Sequence, residues 1–216
     1  TDVAFTGQQA VLAPSVNNII RPGNVSTDQA IAGSGTITLS MIDALKERAA
    51  TMRQVFGQPI IRPIMMNGDA YYCLFIHDFQ ETDLRQDAGG TGWRDLYDNA
   101  MRGGEITKNP IFTGALGMYN NVIIHKSTRI TEGVDSGTGL ALPGVRRAVF
   151  CGAQAGWVAW GQSYGQSAFR WVERLTDFQK SLGISASSVW GLKKSRFGSN
   201  DFATIDMPTA ATQSII

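Results

Sequence analysis

The stretch over residues 59–85, PIIRPIMMNGDAYYCLFIHDFQETDLR, constrains the fold more than any other part of the chain. Ile60, Ile61, Ile64, Met65 and Met66 lead into Asn67-Gly68, and Tyr71, Tyr72, Leu74, Phe75 and Ile76 follow. Asn-Gly supplies two residues that tolerate φ > 0, as a tight type I′ turn requires, and both flanks are rich in β-formers. The pattern predicts a hairpin. Pro63 has no N–H to donate, so the first arm is expected at a sheet edge or irregular there. The second arm passes into a segment with helical spacing, in which Phe79, Thr82 and Leu84 alternate with His77, Asp78, Glu81, Asp83 and Arg85. A strand running into a helix points to a mixed α+β core.

Residues 1–36 are rich in small and polar types, with Pro14 and Pro22, and read as a loop or extended arm. From Thr38 the period changes. Leu39, Ile42, Leu45, Ala49 and Met52 recur every three or four residues opposite Asp43, Lys46, Glu47, Arg48 and Arg53. This predicts an amphipathic helix of about four turns, N-capped by Thr38 or Ser40 and stopped by Gly57 and Pro59. Beyond Arg85 the reading is a glycine-rich tip over 87–92, a short helix carrying Trp93, Leu96, Tyr97, Ala100 and Met101, and a strand over 122–125. Residues 131–144 read as an exposed mobile loop. The run over 146–162, RRAVFCGAQAGWVAWGQ, has no polar face if helical and would need cover on every side. Strands are expected around Phe169 and Trp171, over 189–197 and over 202–205, with turns at Gly183, Gly191 and Gly198.

A chain of 216 residues can bury a real core without a disulfide framework. Cys73 and Cys151 lie in apolar segments and read as reduced, buried thiols. A net charge of +1 marks out neither a nucleic-acid groove nor an anionic-membrane surface, and no apolar run reaches membrane-spanning length. Charged residues are 17% of the chain, below the ordinary quarter or so, and 24 residues are glycine. Both features suit an exterior that meets protein more than water.

Catalytic patterns are weak. His77, Asp78, Glu81 and Asp83, with His125 at a distance, could be drawn as metal ligands, but His77 and Glu81 make one i, i+4 pair and no HExxH or CxxC is present. A polar helix start is the better account. There is no GxSxG elbow, and the glycine clusters Gly33-Ser34-Gly35 and Gly89-Gly90-Thr91-Gly92 lack the context of a phosphate loop. Lys193, Lys194 and Arg196, near Trp190 and Phe197, read as a solvated strand face rather than a nucleic-acid platform. Trp157 and Trp160, in an apolar segment, read as core or interface rather than a sugar site.

Several ordered segments resemble one family, the major capsid proteins of tailed bacteriophages, in particular the N-four-like group. They are Ile61-Arg62-Pro63-Ile64 with Asn67-Gly68, residues 71–76 running into His77-Asp78-Phe79-Gln80, and Asp83-Leu84-Arg85. Gly92-Trp93, residues 109–117 with Tyr119, residues 147–155, Trp190-Gly191-Leu192-Lys193-Lys194, Phe197 and Asp201-Phe202 complete the set. The resemblance implies an α+β fold of the HK97 type, with a peripheral domain of long helix and sheet and an axial domain around the capsomer axes. Residues 1–36 are expected to be an extended arm or loop region, 37–130 the peripheral helix and hairpin leading into the axial domain, and 131–216 the axial remainder and return strands. The family's N-terminal arm and extended loop, which clamp neighbouring subunits, are expected to be absent. A further departure is Thr176-Asp177-Phe178-Gln179-Lys180, where the family pattern suggests a turn richer in glycine.

The resemblance also implies self-assembly into pentamers and hexamers of an icosahedral head. That head would enclose double-stranded DNA without sequence specificity, with portal, scaffold or decoration proteins as further partners and no membrane. It places the protein in the virion capsid, made and assembled in the host cytoplasm. No catalytic, cofactor-binding or metal residues come with it, and no cofactor or enzymatic activity is expected. A cellular nanocompartment shell of the same fold is the alternative, and a small metal-dependent hydrolase using His77, Glu81 and His125 ranks far below both.

Overall fold

The computed structural model describes residues 16–66, 68–87, 117–161, 169–197 and 200–213. The helix expected over 93–101, the tip over 88–92 and the loop over 109–116 lie outside them. Two helices are described, α1 (Leu39–Phe56) and α2 (Asp78–Gln86). The strands are β1 (Ile64–Met66), β2 (Asp69–Ile76), β3 (Gly117–Tyr119), β4 (Val122–Lys126), β5 (Glu132–Val134), β6 (Ala141–Cys151), β7 (Gly156–Gly161), β8 (Phe169–Thr176), β9 (Ser181–Lys194), β10 (Arg196–Phe197), β11 (Asn200–Asp201) and β12 (Thr204–Ala210).

The hairpin forms as expected. Met66 pairs with Asp69 across a two-residue loop in which Gly68 has φ 94°. β1 is three residues long and starts just after Pro63, at the margin of a seven-stranded sheet ordered β12-β6-β2-β4-β3, with β1 on β2 and β5 on β6. β2 and β4 are parallel, and the other pairs are antiparallel.

Strand alternation sends Tyr72, Leu74 and Ile76 of β2 to one face, where α1 lays Ile42, Leu45, Ala49 and Met52 against the sheet. The register aligns Ile124, Leu74, Phe150 and Ile205 in one row across four adjacent strands, all fully buried. That row is the centre of the core.

The caps explain the helix limits. Thr38 precedes α1 with extended backbone, its Oγ1 engaged with Ser40 Oγ at 2.9 Å, and α1 runs five turns rather than four. Gly57 ends it in the left-handed region (φ 66°), donating its N–H to the Arg53 carbonyl. At α2, His77 Nδ1 accepts from the Phe79 N–H at 3.1 Å, and Gln80 Oε1 accepts from the His77 N–H at 2.9 Å. The buried Gln80 amide also donates to the Arg146 carbonyl (3.1 Å) and Thr209 Oγ1 (2.6 Å), tying α2 to β6 and β12.

Three expectations need correction. The run over 146–161 is not helical: it forms the end of β6, a turn, and β7. β6 carries apolar residues on both faces, Ala148 and Phe150 on one and Val149 and Cys151 on the other, so composition alone does not separate such a strand from a helix. Residues 131–144 are not a mobile loop, since β5 and the start of β6 form a hairpin with Gly133 opposite Leu142 and Val134 opposite Ala141. Its turn is organised by Asp135, whose Oδ1 accepts from the N–H groups of Gly137 (2.7 Å) and Thr138 (2.9 Å). Gly183 and Gly191, expected in turns, lie inside β9.

Every residue of β12 is buried, although it is the last strand of its sheet. Residues 16–36 cover its outer edge: the Ile20 N–H donates to the Asp206 carbonyl, the Ala210 N–H to the Gly35 carbonyl, and Asn18 Nδ2 to the Thr204 carbonyl. Because 206 and 210 point outward, Pro208 also does, and its missing N–H costs no bond to β6. Gly152 is needed for close approach, because a Cβ there would collide with the Ile61 side chain and sit 2.6 Å from the Arg62 carbonyl oxygen.

Candidate assembly surface

Beyond the body, β7, β9 and β8 make a separate three-stranded antiparallel ribbon around the 14-residue β9, about 45 Å long at 3.3 Å per residue. Its register fixes the two faces. Trp171 lies opposite Ala186, Leu175 opposite Leu182, Glu173 opposite Ile184, Trp160 opposite Trp190 and Val158 opposite Leu192. These share one face with Phe169, and the ring centroids of Trp160 lie 5.5 Å from Phe169 and 6.3 Å from Trp190. The opposite face presents Arg170, Arg174, Lys193, Ser181, Ser185 and Ser187, together with Trp157, Val172 and Val189. A strand therefore separates Trp157 from Trp160, where a helix would have put them together.

The aromatic face is uncovered in this chain. Phe169 is 67% exposed, Trp171 61% and Trp160 53%. At about 150–250 Å² for each aromatic side chain, and with Val158, Leu175, Leu182 and Ile184 similarly open, the face exposes on the order of 800 Å² of apolar surface. That is about one partner's share of a standard protein interface and above the usual size of a monomer's apolar patch. The β8–β9 turn adds to it. Asp177, Phe178 and Gln179 all have positive φ (54°, 51° and 68°), at the place where glycine was expected, and Phe178 is 96% exposed. Three successive non-glycine residues in the left-handed region are strained, each at a cost of about 1–2 kcal/mol.

The ribbon is anchored at its root. Lys194 Nζ lies 2.9 Å and Arg196 Nε 3.2 Å from Oδ1 of the buried Asp201, and Phe197 meets Phe202 edge-on at 5.2 Å. Of the basic group read as a solvated face, Lys193 is on the ribbon's polar side, while Lys194 and Arg196 neutralise a carboxylate. That use of charge disfavours a nucleic-acid platform.

Four of the residues drawn as metal ligands are engaged elsewhere, and the fifth, Asp83, is half-buried with one carboxylate oxygen unpartnered among the described residues and its pKa raised by burial. His77 caps α2, and burial together with the nearby Arg146 guanidinium lowers its pKa. His125 stacks on Phe75 on the sheet face away from α1. Glu81 pairs with Arg85 (2.7 Å) and Lys126 (3.2 Å), and Asp78 lies 3.9 Å from Lys126. Among the described residues, no three His, Cys, Asp or Glu side chains are grouped to hold a metal. Gly35 serves a turn, donating to the Ala32 carbonyl.

Sequence reasoning missed the ion cluster that joins the N-terminal segment to the sheet. Asp28, 1% exposed, accepts from Arg21 Nε (2.8 Å), Arg147 Nε (2.9 Å), Arg147 Nη2 (2.6 Å) and the Val134 N–H (3.2 Å). Arg147 Nη1 also lies 3.7 Å from Asp206 Oδ2. Burial pushes the Asp28 carboxyl up, but Arg147 and Arg21 outweigh it and hold the pKa below the ordinary value. Burial dominates at Asp206, which is pushed up to about 7 with Arg147 opposing and Asp28 reinforcing.

The two signs differ. Asp28 contributes stability above its unfolded pKa, and that contribution is lost as pH falls through its lower folded value. Asp206 keeps its proton in the folded state up to about pH 7, whereas the unfolded chain releases it near 3.9, so it withdraws stability as pH rises through that window. Asp206→Asn is therefore expected to gain on the unsubstituted protein, by up to about 3 kcal/mol, as pH rises from about 4.5 to 7. Urea unfolding at several pH values checks this, and a constant difference between the two proteins would contradict it.

No curated protein matches the chain. Solved structures do. The capsid of Ralstonia phage GP4 is similar at 28% identity and a TM-score of 0.73, over 94% of this chain and 55% of that one. The capsid asymmetric unit of cyanophage Pam1 follows at 17% and 0.62, over 84% of this chain and 48% of that one. The acid-stable capsid structure of Helicobacter pylori bacteriophage KHP30 is similar at 15% and 0.52, over 81% and 59%. The chain thus spans about half the length of the capsid chains it matches, and its mixed helix and sheet architecture is the HK97-type fold expected from its sequence. A family model described as phage capsid protein matches residues 1–214. With its fold and nearly all of its sequence matched in this way, the chain belongs to the phage capsid protein family.

Proposed function

We propose that this chain is a wall subunit of an icosahedral phage head, assembling with copies of itself into pentamers and hexamers around double-stranded DNA. The observation that carries the reading is the ribbon's aromatic face, an apolar surface of interface size on a chain of the capsid family. Against that face, in the assembled wall, packs other capsid polypeptide. The strained turn at 177–179 and the exposed Phe178 are held by the same contact. DNA is held by enclosure, which is consistent with a net charge of +1. The role is structural and not catalytic, the site of action is the virion, and assembly takes place in the host cytoplasm with portal, scaffold or decoration proteins. The division into an arm over 1–36, a peripheral part over 37–130 and an axial part over 131–216 belongs to the same proposal. Support is best for the arm, whose residues 16–36 contain only short 3-10 turns and lie along β12.

Replacing Trp160 and Trp171 by Ser on the aromatic face is expected to lower the yield of sedimenting particles at least about tenfold, since buried aromatic anchors carry most of an interface's energy. Arg174→Ser on the polar face is expected to leave the yield within about twofold, as rim charges contribute little. Equal yields from both variants would remove the ribbon from the assembly reading.

A further inference from the structure

Cys73 on β2 and Cys151 at the end of β6 are free thiols, both half-buried, and the strand register sets them directly opposite one another. Residues opposite in an antiparallel pair project to the same face, here the one away from α1. The backbone groups identify the kind of pair. Tyr72 donates its N–H towards β4, to the Asn121 carbonyl, and Gly152 donates towards β12, to the Ala203 carbonyl. By alternation, the backbone groups of Cys73 and Cys151 point at each other, and such a hydrogen-bonded pair has a Cα separation of about 5.5 Å. This lies inside the range that a disulfide spans, although the Cβ atoms of such a pair must close by about 1 Å. The pair is the last of the β2–β6 ladder, so no further β2–β6 rung beyond it opposes that adjustment.

We propose that Cys73 and Cys151 form an oxidisable dithiol, a covalent modification site at which a low-molecular-weight disulfide staples β2 to β6. One cysteine thiolate attacks a sulfur of oxidised glutathione, releasing one glutathione thiolate and leaving a mixed disulfide. The second cysteine, as thiolate, displaces the remaining glutathione. The protein loses two electrons and two protons, and one oxidised glutathione becomes two reduced ones. Burial raises both thiol pKa values, that of Cys151 to about 12, so the reaction is slow at neutral pH and quickens as pH rises. The Cβ adjustment makes the product strained and easily reduced. Its use rests on the virion reading, since thiols stay reduced in cytoplasm and meet oxidants after release. The chemistry does not rest on it, and failure of the test below would leave the capsid assignment untouched.

The test treats the folded protein with excess oxidised glutathione, quenches with acid, alkylates and records intact mass and peptide map. The expected product has lost the mass of two hydrogens, takes no alkyl group at either cysteine, yields a peptide linking the two segments, and reverts with dithiothreitol. Cys73→Ser and Cys151→Ser, each alone, are expected to give only a glutathione adduct or a free thiol. A folded wild-type protein that ends as glutathione adducts or alkylated thiols overturns the proposal. So does a link between two chains, or one that forms only in denaturant.

Discussion

Asp28→Ala is expected to cost the folded chain about 3–5 kcal/mol, the range for removing one partner of a buried ion pair. The loss is large because one carboxylate serves four donors from three parts of the chain: Arg21 in the arm, the Val134 N–H on β5, and two nitrogens of Arg147 on β6. Without it, the Arg147 guanidinium, only 13% exposed, keeps Asp206 at 3.7 Å as its remaining acidic neighbour. Removing Asp28 also removes a charge that helps keep Asp206 protonated, so Asp206 ionises more readily and answers the guanidinium in part, against its own burial. Guanidinium unfolding gives the global loss. Limited proteolysis separates arm release from global unfolding, because the arm lies along β12 through bonds at Ile20 and Gly35 that lose their anchor. A loss below about 1 kcal/mol, the scale of an exposed pair, would show that the cluster does not hold the arm.

Phe150→Ala is expected to cost about 3–5 kcal/mol as well, through lost transfer energy and a cavity that the sheet cannot collapse. Among the described residues Phe150 is the largest fully buried side chain; it lies between Leu74 and Ile205 in the central row and has its ring 5.0 Å from that of Tyr72. β-strands on both sides and α1 above hold the walls apart. Phe178→Ala removes the same side chain from a position 96% exposed and is expected to change the stability of the unassembled chain by less than about 0.5 kcal/mol. Chemical unfolding of the two variants side by side makes the comparison, and similar losses from both would mean that the core row is wrongly placed.

Local chemistry made part of this fold legible in the sequence. Asn67-Gly68 between apolar arms, the three-and-four spacing from Leu39 to Met52, and Gly57 past its end each act through neighbours in the chain, and each element formed where its pattern lay. The run over 146–161 was not legible as strand because both faces carry apolar residues, Ala148 and Phe150 on one side of β6 and Val149 and Cys151 on the other, with Trp157 and Trp160 on opposite faces of β7. Asp28 carried no signal at all: its main partner, Arg147, is 119 residues away and only the folded sheet brings them together. The ribbon was half legible. Phe169 and Trp171 alternate visibly, and Leu182, Ile184, Ala186, Trp190 and Leu192 occupy every second position but one, yet Gly183 and Gly191 read as turns. In β9 those glycines lie on the face opposite Trp160, Trp171 and Trp190.

Whether this chain builds a DNA-enclosing shell, as proposed above, is decided by electron microscopy of native particles with nuclease-protected DNA assayed on the same sample. Closed shells of uniform diameter that protect double-stranded DNA are expected. Uniform shells holding protein cargo and no DNA, or a monodisperse species that forms no shell, would contradict that proposal.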